Sequence, residues 1–297
     1  MSTAAARNIL VVGPSWVGDM VMAQSLFRLL RQQHPSLQLD VLAPAWSRAI
    51  LQRMPEVSNA IDLPFAHGEL GLRKRLKLAK ALRTAQYDQA IVLPNSFKSA
   101  IIPWFAHIPV RTGWRGEQRG ILLNDCRTLD KQKLPMMVQR FAVLGQASHL
   151  DIPDPIPVPQ LLADSHGARQ AIRDLGLLWN RDTTVLVLCP GAEFGQAKQW
   201  PANYYGDVAK EYTARGWRVA LMGSAKDRLV CDQIVGSLPE LLQSSCDNLA
   251  GRTTPAQAID LMSVANAAVS TDSGLMHISA ALHRPLVAVY GSTSATF

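Results

Sequence analysis

The chain is poor in cysteine, with four in 297 residues, at positions 126, 189, 231 and 246. They lie far apart and form no CxxC pair, which argues against a zinc knuckle or a disulfide framework and fits a reduced, cytoplasmic setting. Long apolar runs are also lacking. A membrane-spanning helix needs about 18 such residues, whereas the longest candidates here, such as residues 185–190, have strand length. The N-terminus offers a single Arg7, then a short apolar run ending at Gly13. That reads as a first β-strand rather than a signal peptide. Neither GxGxxG nor DxD occurs anywhere in the chain. Aromatic residues make up only 6%, but the 48% hydrophobic content is enough for sizeable cores and excludes global disorder.

Charge is present and unevenly placed. Residues 1–150 hold 19 Lys/Arg against 9 Asp/Glu, and residues 151–297 hold 11 against 14, so the halves carry +10 and −3. A basic half suits an anionic partner: nucleic acid, a membrane surface or a phosphorylated substrate. Six of the cations fall in one segment, RKRLKLAKALR at residues 73–83. That segment reads equally well as a solvated helix.

Strand-like and helix-like stretches alternate through both halves. Residues 8–12 and 37–42 read as strands, 19–33 as a helix with Met20, Ala23, Leu26, Phe27 and Leu30 on one face, 70–85 as a basic helix, 90–93 as a strand and 136–145 as a helix. Residues 151–159 then place four prolines in nine positions, which predicts an extended linker. Beyond it the rhythm restarts, with strands at 184–188, 218–222, 267–270 and 286–290 and helices at 204–215, 256–263 and 274–281. The expectation is α/β: residues 1–150 form one doubly wound Rossmann-like domain, residues 151–160 a linker, and residues 161–297 a second such domain. Ligands of such folds sit beyond the carboxyl ends of the strands, so the turns after strands are the places to search.

Four turns stand out. The first, GPSWVGD at residues 13–19, has the GxxxxG spacing of a phosphate loop, but Asp19 occupies the place of the phosphate-binding lysine. Asp19 therefore reads either as a helix N-cap or as a carboxylate at a cleft, able to accept a proton from a bound hydroxyl. The second, PGAEFGQAKQWP at residues 190–201, joins Gly191 and Gly195 to Lys198, a set suited to a diphosphate. The third, at Gly223 and Ser224, is a small-residue strand-to-helix turn. The fourth, TDSGLMH at residues 271–277, opens a helix whose first amides form an anion site. There Asp272 reads as an N-cap or a ligand contact, and His277 as a packed histidine or a site residue.

Several segments resemble one family when taken in order. GPSWVGDMVMAQSLFRLL, VLAPAWSRAIL, VLPNSFKSA, RTGWRGEQR, PGAEFGQAKQWP, GSAKD and TDSGLMHISAAL are similar to motifs of the ADP-heptose:lipopolysaccharide heptosyltransferases, glycosyltransferase family 9. The resemblance runs from Ile9 to Ser292. It implies a GT-B architecture, with an acceptor-binding first domain and a nucleotide-sugar donor domain second, facing a cleft. It also implies that the second domain is cut short at its end, since the family's members run on further.

The same resemblance implies an inverting transferase that moves L-glycero-D-manno-heptose from ADP-heptose to the first heptose of the lipopolysaccharide inner core and releases ADP, in a Gram-negative cell. Asp19 matches the family's general base. Gly191, Lys198, Gly223, Ser224, Asp272, Ser273, Gly274 and His277 match its donor-binding positions. Lys98, Arg115 and Arg119 match positions facing a phosphorylated lipid A-core acceptor. No metal or other cofactor is implied, and the enzyme is expected in the cytoplasm, peripheral at the inner face of the inner membrane. Alternatives are transfer to another inner-core heptose and a catalytically inactive nucleotide-sugar-binding relative. A nicotinamide dehydrogenase is disfavoured by the missing GxGxxG. A nucleic-acid binder would leave the acidic half and its glycine turns unexplained.

Overall fold

The structure is a computed structural model that describes residues 7–64, 71–148, 154–191 and 198–292. It divides into two compact units, Met1–Pro159 and Gln160–Phe297, so the division falls at the end of the proline-rich stretch. The first three residues of the expected linker, 151–153, lie outside the described residues.

The first domain runs β1 (Asn8–Val12), α1 (Val17–Gln33), β2 (Gln38–Pro44), α2 (Arg48–Leu51), β3 (Asn59–Leu63), α3 (Leu72–Leu82), β4 (Gln89–Val92), α4 (Ile101–Phe105), β5 (Val110–Trp114), β6 (Asp125–Arg127) and α5 (Met137–Ala142). Its strands are all parallel and lie in the order β3-β2-β1-β4-β5-β6. Ile9 pairs with Leu39 on one side and with Gln89 on the other. The order reverses direction between β1 and β4, and a doubly wound sheet binds its ligand at that reversal.

The apolar runs explain the layers. Side chains alternate across a strand. Leu10 and Val12 therefore share one face with Ala90 and Val92, where Ala79 and Leu82 of α3 and Ile101 and Ile102 of α4 cover them. Ile9 and Val11 point to the other face and are fully buried, as are Met20, Leu26 and Phe27 of α1. Each such side chain contributes about 1.5–3 kcal/mol by leaving water. The sequence places the start of α1 at Asp19, but the helix begins two residues earlier, at Val17. The basic helix is shorter than its pattern, because residues 83–85 tighten into a 3-10 turn.

The second domain runs α6 (Ser165–Asp174), β7 (Val185–Cys189), α7 (Ala202–Ala214), β8 (Arg218–Leu221), α8 (Arg228–Gly236), α9 (Glu240–Gln243), β9 (Cys246–Asn248), α10 (Pro255–Val264), β10 (Ala267–Thr271), α11 (Gly274–Ala281) and β11 (Leu286–Val289). Its parallel sheet has the order β11-β10-β7-β8-β9, with the reversal between β7 and β10. Every residue of β7 is buried, as a strand covered on both faces requires. Leu186 and Leu188 pack with Val219, Leu221, Tyr205, Cys231 and Ile234.

Candidate active site

In the first domain the turns after β1 and β4 lie side by side, because their strands are neighbours and the Leu93 amide donates to the Val12 carbonyl at 3.1 Å. A cavity of about 1440 Å³ opens there. Residues 12–16 and 93–99 line it, together with Asp19, Trp46, Lys74, Trp114, Lys131 and Phe141. Asp19 stands in the first turn of α1, while Trp16 holds the N-cap position with no side-chain cap bond. The cap reading of Asp19 is therefore set aside. Burial pushes its carboxyl above the ordinary carboxylate value. Among the described residues no hydrogen bond or ion pair engages that carboxylate. A carboxylate so placed suits a general base.

The three basic residues assigned to an acceptor separate. Lys98 is half-buried and lines the cavity. Arg115 is exposed at the end of β5 and is not part of the lining. Arg119 is 0% exposed. Its guanidinium donates to the carbonyls of Trp114 and Pro94, to Asn95 Oδ1 at 3.0 Å and to Ser99 Oγ at 3.3 Å. The structure thus corrects the expectation of direct acceptor contact by Arg119. Its planar fork is occupied in fastening the β4 turn, which carries Asn95 and Lys98, to the end of β5. Burial pulls its pKa below the usual guanidinium value.

In the second domain the turn after β7 meets the turn after β10. The Thr271 hydroxyl donates to the Gly191 carbonyl at 2.8 Å. Lys198 Nζ donates to Asp272 Oδ2 at 2.7 Å, with both side chains about four-fifths buried. Asp272 precedes Ser273, which holds the N-cap position of α11, so the cap reading of Asp272 is replaced by an ion pair. No side chain caps that helix, whose first amides belong to Gly274 and Leu275. Trp200 stacks on Tyr204 at 5.5 Å and meets Tyr205 edge-on at 4.9 Å, while Tyr205 donates to the Cys189 carbonyl. These contacts anchor the chain just after Lys198. His277 lies one turn into α11, where burial pulls its pKa down and the Asp272 charge partly opposes the shift. Gly195 lies outside the described residues.

Sequence reasoning missed Asp227. Its Oδ2 accepts from the Ser224 amide at 2.7 Å and from the Ser224 hydroxyl at 2.8 Å. A Cβ on Gly191 would lie 2.5 Å from the Asp227 carboxyl carbon, and one on Gly223 would lie 2.8 Å from the Asp227 Cβ. Both glycines are thus required by a neighbouring side chain. Lys74, Lys131 and the aromatic walls Trp16, Trp46, Phe97 and Trp114 were also missed. Lys74 was hidden in the charge run of α3, and the aromatics come from separate loops with no shared spacing.

Two parallel, doubly wound sheets with polar turns at both strand-order reversals are the two Rossmann-like domains of a GT-B architecture, the class of the solved heptosyltransferase structure that the chain matches. The family model for glycosyltransferase family 9 (heptosyltransferase) matches residues 75–297, and the chain belongs to that family. It is 48% identical over 295 residues to lipopolysaccharide heptosyltransferase 2 of Salmonella typhimurium, covering 98% of this chain and 84% of that one. It is 49% identical over 297 residues to lipooligosaccharide heptosyltransferase 2 of Haemophilus ducreyi, covering 98% and 85%. The solved structure of Escherichia coli ADP-heptose LPS heptosyltransferase II matches with a TM-score of 0.91 at 46% identity, over 98% of this chain and 86% of that one.

Proposed function

We propose that this glycosyltransferase moves heptose from ADP-heptose to the first heptose of a phosphorylated lipid A-core acceptor, inverting the anomeric centre and releasing ADP. The observation that carries the reading is the near full-length identity to heptosyltransferase 2 relatives. The first domain takes the acceptor and the second the donor. In the reaction the acceptor hydroxyl oxygen attacks the anomeric carbon, and its proton passes to the Asp19 carboxylate. The bond from that carbon to the diphosphate breaks, and ADP leaves with the electron pair.

The second domain offers cationic and dipolar partners for that leaving group. Lys198 is held by Asp272 in the resting protein, and an arriving diphosphate competes for its ammonium. The uncapped amides at the start of α11 add a second anion contact. In this reading these groups meet the charge on the leaving diphosphate without a metal ion. Asp227 keeps the turn with Gly191 and Gly223 in shape. Lys98, Lys74 and Lys131 supply cationic contacts for acceptor phosphate or carboxylate, and the aromatic walls offer flat faces for sugar rings.

The acceptor is a lipid, so we place the enzyme in the cytoplasm, peripheral at the inner face of the inner membrane. The test is ADP release from ADP-heptose. Release that requires heptosyl-Kdo2-lipid A supports the reading. Release with Kdo2-lipid A alone would assign the chain to the first heptose instead, and no release with either would leave a binding protein.

A further inference from the structure

The α3–α4 face of the first domain combines exposed apolar side chains with a cluster of cations. Leu72 and Leu76 of α3 are 46% and 36% exposed, and Trp104 of α4 is 41% exposed. Arg73, Lys77, Lys80 and Arg83 are exposed around them. Helices α3 and α4 pack together, and Arg83 shares a surface hollow of about 470 Å³ with Trp104 and Arg111. Neither residues 71–87 nor residues 96–116 contain an Asp or Glu. The inward face of α3 is already used, by Ala79 and Leu82 in the core and by Arg75, which donates to the Lys98 carbonyl at 3.0 Å. Of the outward cations, Arg83 ties α3 to α4 by donating to the Phe105 carbonyl at 2.8 and 3.1 Å, whereas Arg73, Lys77 and Lys80 show no hydrogen bond or ion pair among the described residues.

Exposed leucines and a tryptophan framed by lysine and arginine, with no acidic residue among them, match the chemistry of an anionic lipid interface. The apolar tips enter the headgroup boundary while the cations meet the phosphates. Tryptophan suits that boundary because one end of its ring system is apolar and the other polar. A bound nucleic acid would be matched by the cations but would leave the leucines in water.

We propose that the α3–α4 face is the surface by which this protein rests on anionic phospholipid. The proposal rests on the reading of a lipid-borne acceptor and deepens it. The first turn of α3 also carries Lys74, which lines the cavity beside Lys98. From there α3 runs about 16 Å to its far end near Trp104. A membrane-seated α3 thus places the cavity mouth near the lipid surface.

The experiment uses the whole chain and two readouts. One is co-sedimentation with vesicles of phosphatidylcholine, with and without phosphatidylglycerol. The other is ADP release from ADP-heptose with a deacylated, water-soluble heptosyl-Kdo acceptor. The unaltered protein should bind the phosphatidylglycerol vesicles and not the neutral ones. The pair Lys77→Gln and Lys80→Gln should weaken that binding about tenfold or more, and Trp104→Ser should weaken it at constant charge. Circular dichroism should stay the same, as should ADP release with the soluble acceptor. Vesicle binding unaltered by these changes, or absent from the unaltered protein, would overturn the proposal. Failure of the unaltered protein to release ADP would instead count against the proposed reaction and leave the vesicle result readable. A preference for a single-stranded oligonucleotide over the anionic vesicles would also contradict the proposal.

Discussion

Lys198 and Asp272 form a 2.7 Å ion pair that joins the turn after β7 to the turn after β10. The pair puts a cation and a carboxylate beside the first amides of α11, so the two partners should respond to mutation with opposite signs. Lys198→Ala removes the cation and should weaken ADP binding about tenfold to a hundredfold, as loss of a charge-assisted bond does. Asp272→Asn removes the charged acceptor that competes with the diphosphate for the ammonium, so ADP affinity should hold or rise while turnover falls. Calorimetry with ADP reads both. Equal losses of affinity in the two variants would mean that the pair only holds the loop.

Arg119 should behave as a positioning residue. Arg119→Ala leaves the Trp114 and Pro94 carbonyls without their buried donor and should cost about 3 kcal/mol or more of stability. Arg119→Lys keeps the charge but loses the fork, so its melting temperature should lie between those of the parent and the alanine variant. In the lysine variant the acceptor KM should rise while the donor KM holds, because the turn with Asn95 and Lys98 is what shifts. A matched rise in both constants would argue for general loosening.

Asp19 should trade stability for activity. Its folded pKa is raised by burial. The contribution of such a group is favourable below the unfolded value of 3.8 and is lost as pH rises through the folded value. At neutral pH the ionised carboxylate therefore opposes folding. Asp19→Asn should raise the melting temperature at pH 7 and lower turnover by about 10²–10⁴. The acid limb of the parent's kcat/KM profile should lie above the ordinary carboxylate range. A destabilised variant of normal turnover would reduce Asp19 to a packing role.

Salt should separate the two substrates. Lys74, Lys98 and Lys131 line an open cavity, whose field is screened over about 8–10 Å at ordinary ionic strength. Acceptor KM should climb with added salt, and Lys98→Gln should flatten that climb. Donor KM should change less, since its proposed partners are a largely buried lysine and backbone amides. Steady-state kinetics across a salt series provide the check, and parallel slopes for both substrates would count against the assignment.

Much of the fold could be read in the sequence where pattern and burial agree. The runs NILVV and TVLVLC are strands because both faces are covered, and α1 shows its apolar stripe clearly. The sequence reading missed β3, β5, β6 and β9, the last a three-residue edge strand, CDN. NAIDL and DCR are short edge or near-edge strands of mixed polarity, and VRTGW is broken by a glycine. Helix α6, SHGARQAIRD, is strongly polar, and its start is marked by Asp164 capping the amides of His166 and Gly167. The site residues were legible as residue types at turns, but their partners were not. That Arg119 faces inward, that Asp272 pairs with Lys198 and that Asp227 fills the space beside two glycines all depend on contacts between distant segments. No local pattern encodes such contacts.

The most direct test is the product itself. Purified protein is incubated with ADP-heptose and deacylated heptosyl-Kdo acceptor, and the product is read by mass spectrometry and by NMR of the new linkage. The account predicts one added heptose on the first heptose, an inverted anomeric centre and one ADP per transfer. Heptose attached directly to Kdo, retention of configuration, or ADP released without any transferred sugar would contradict it.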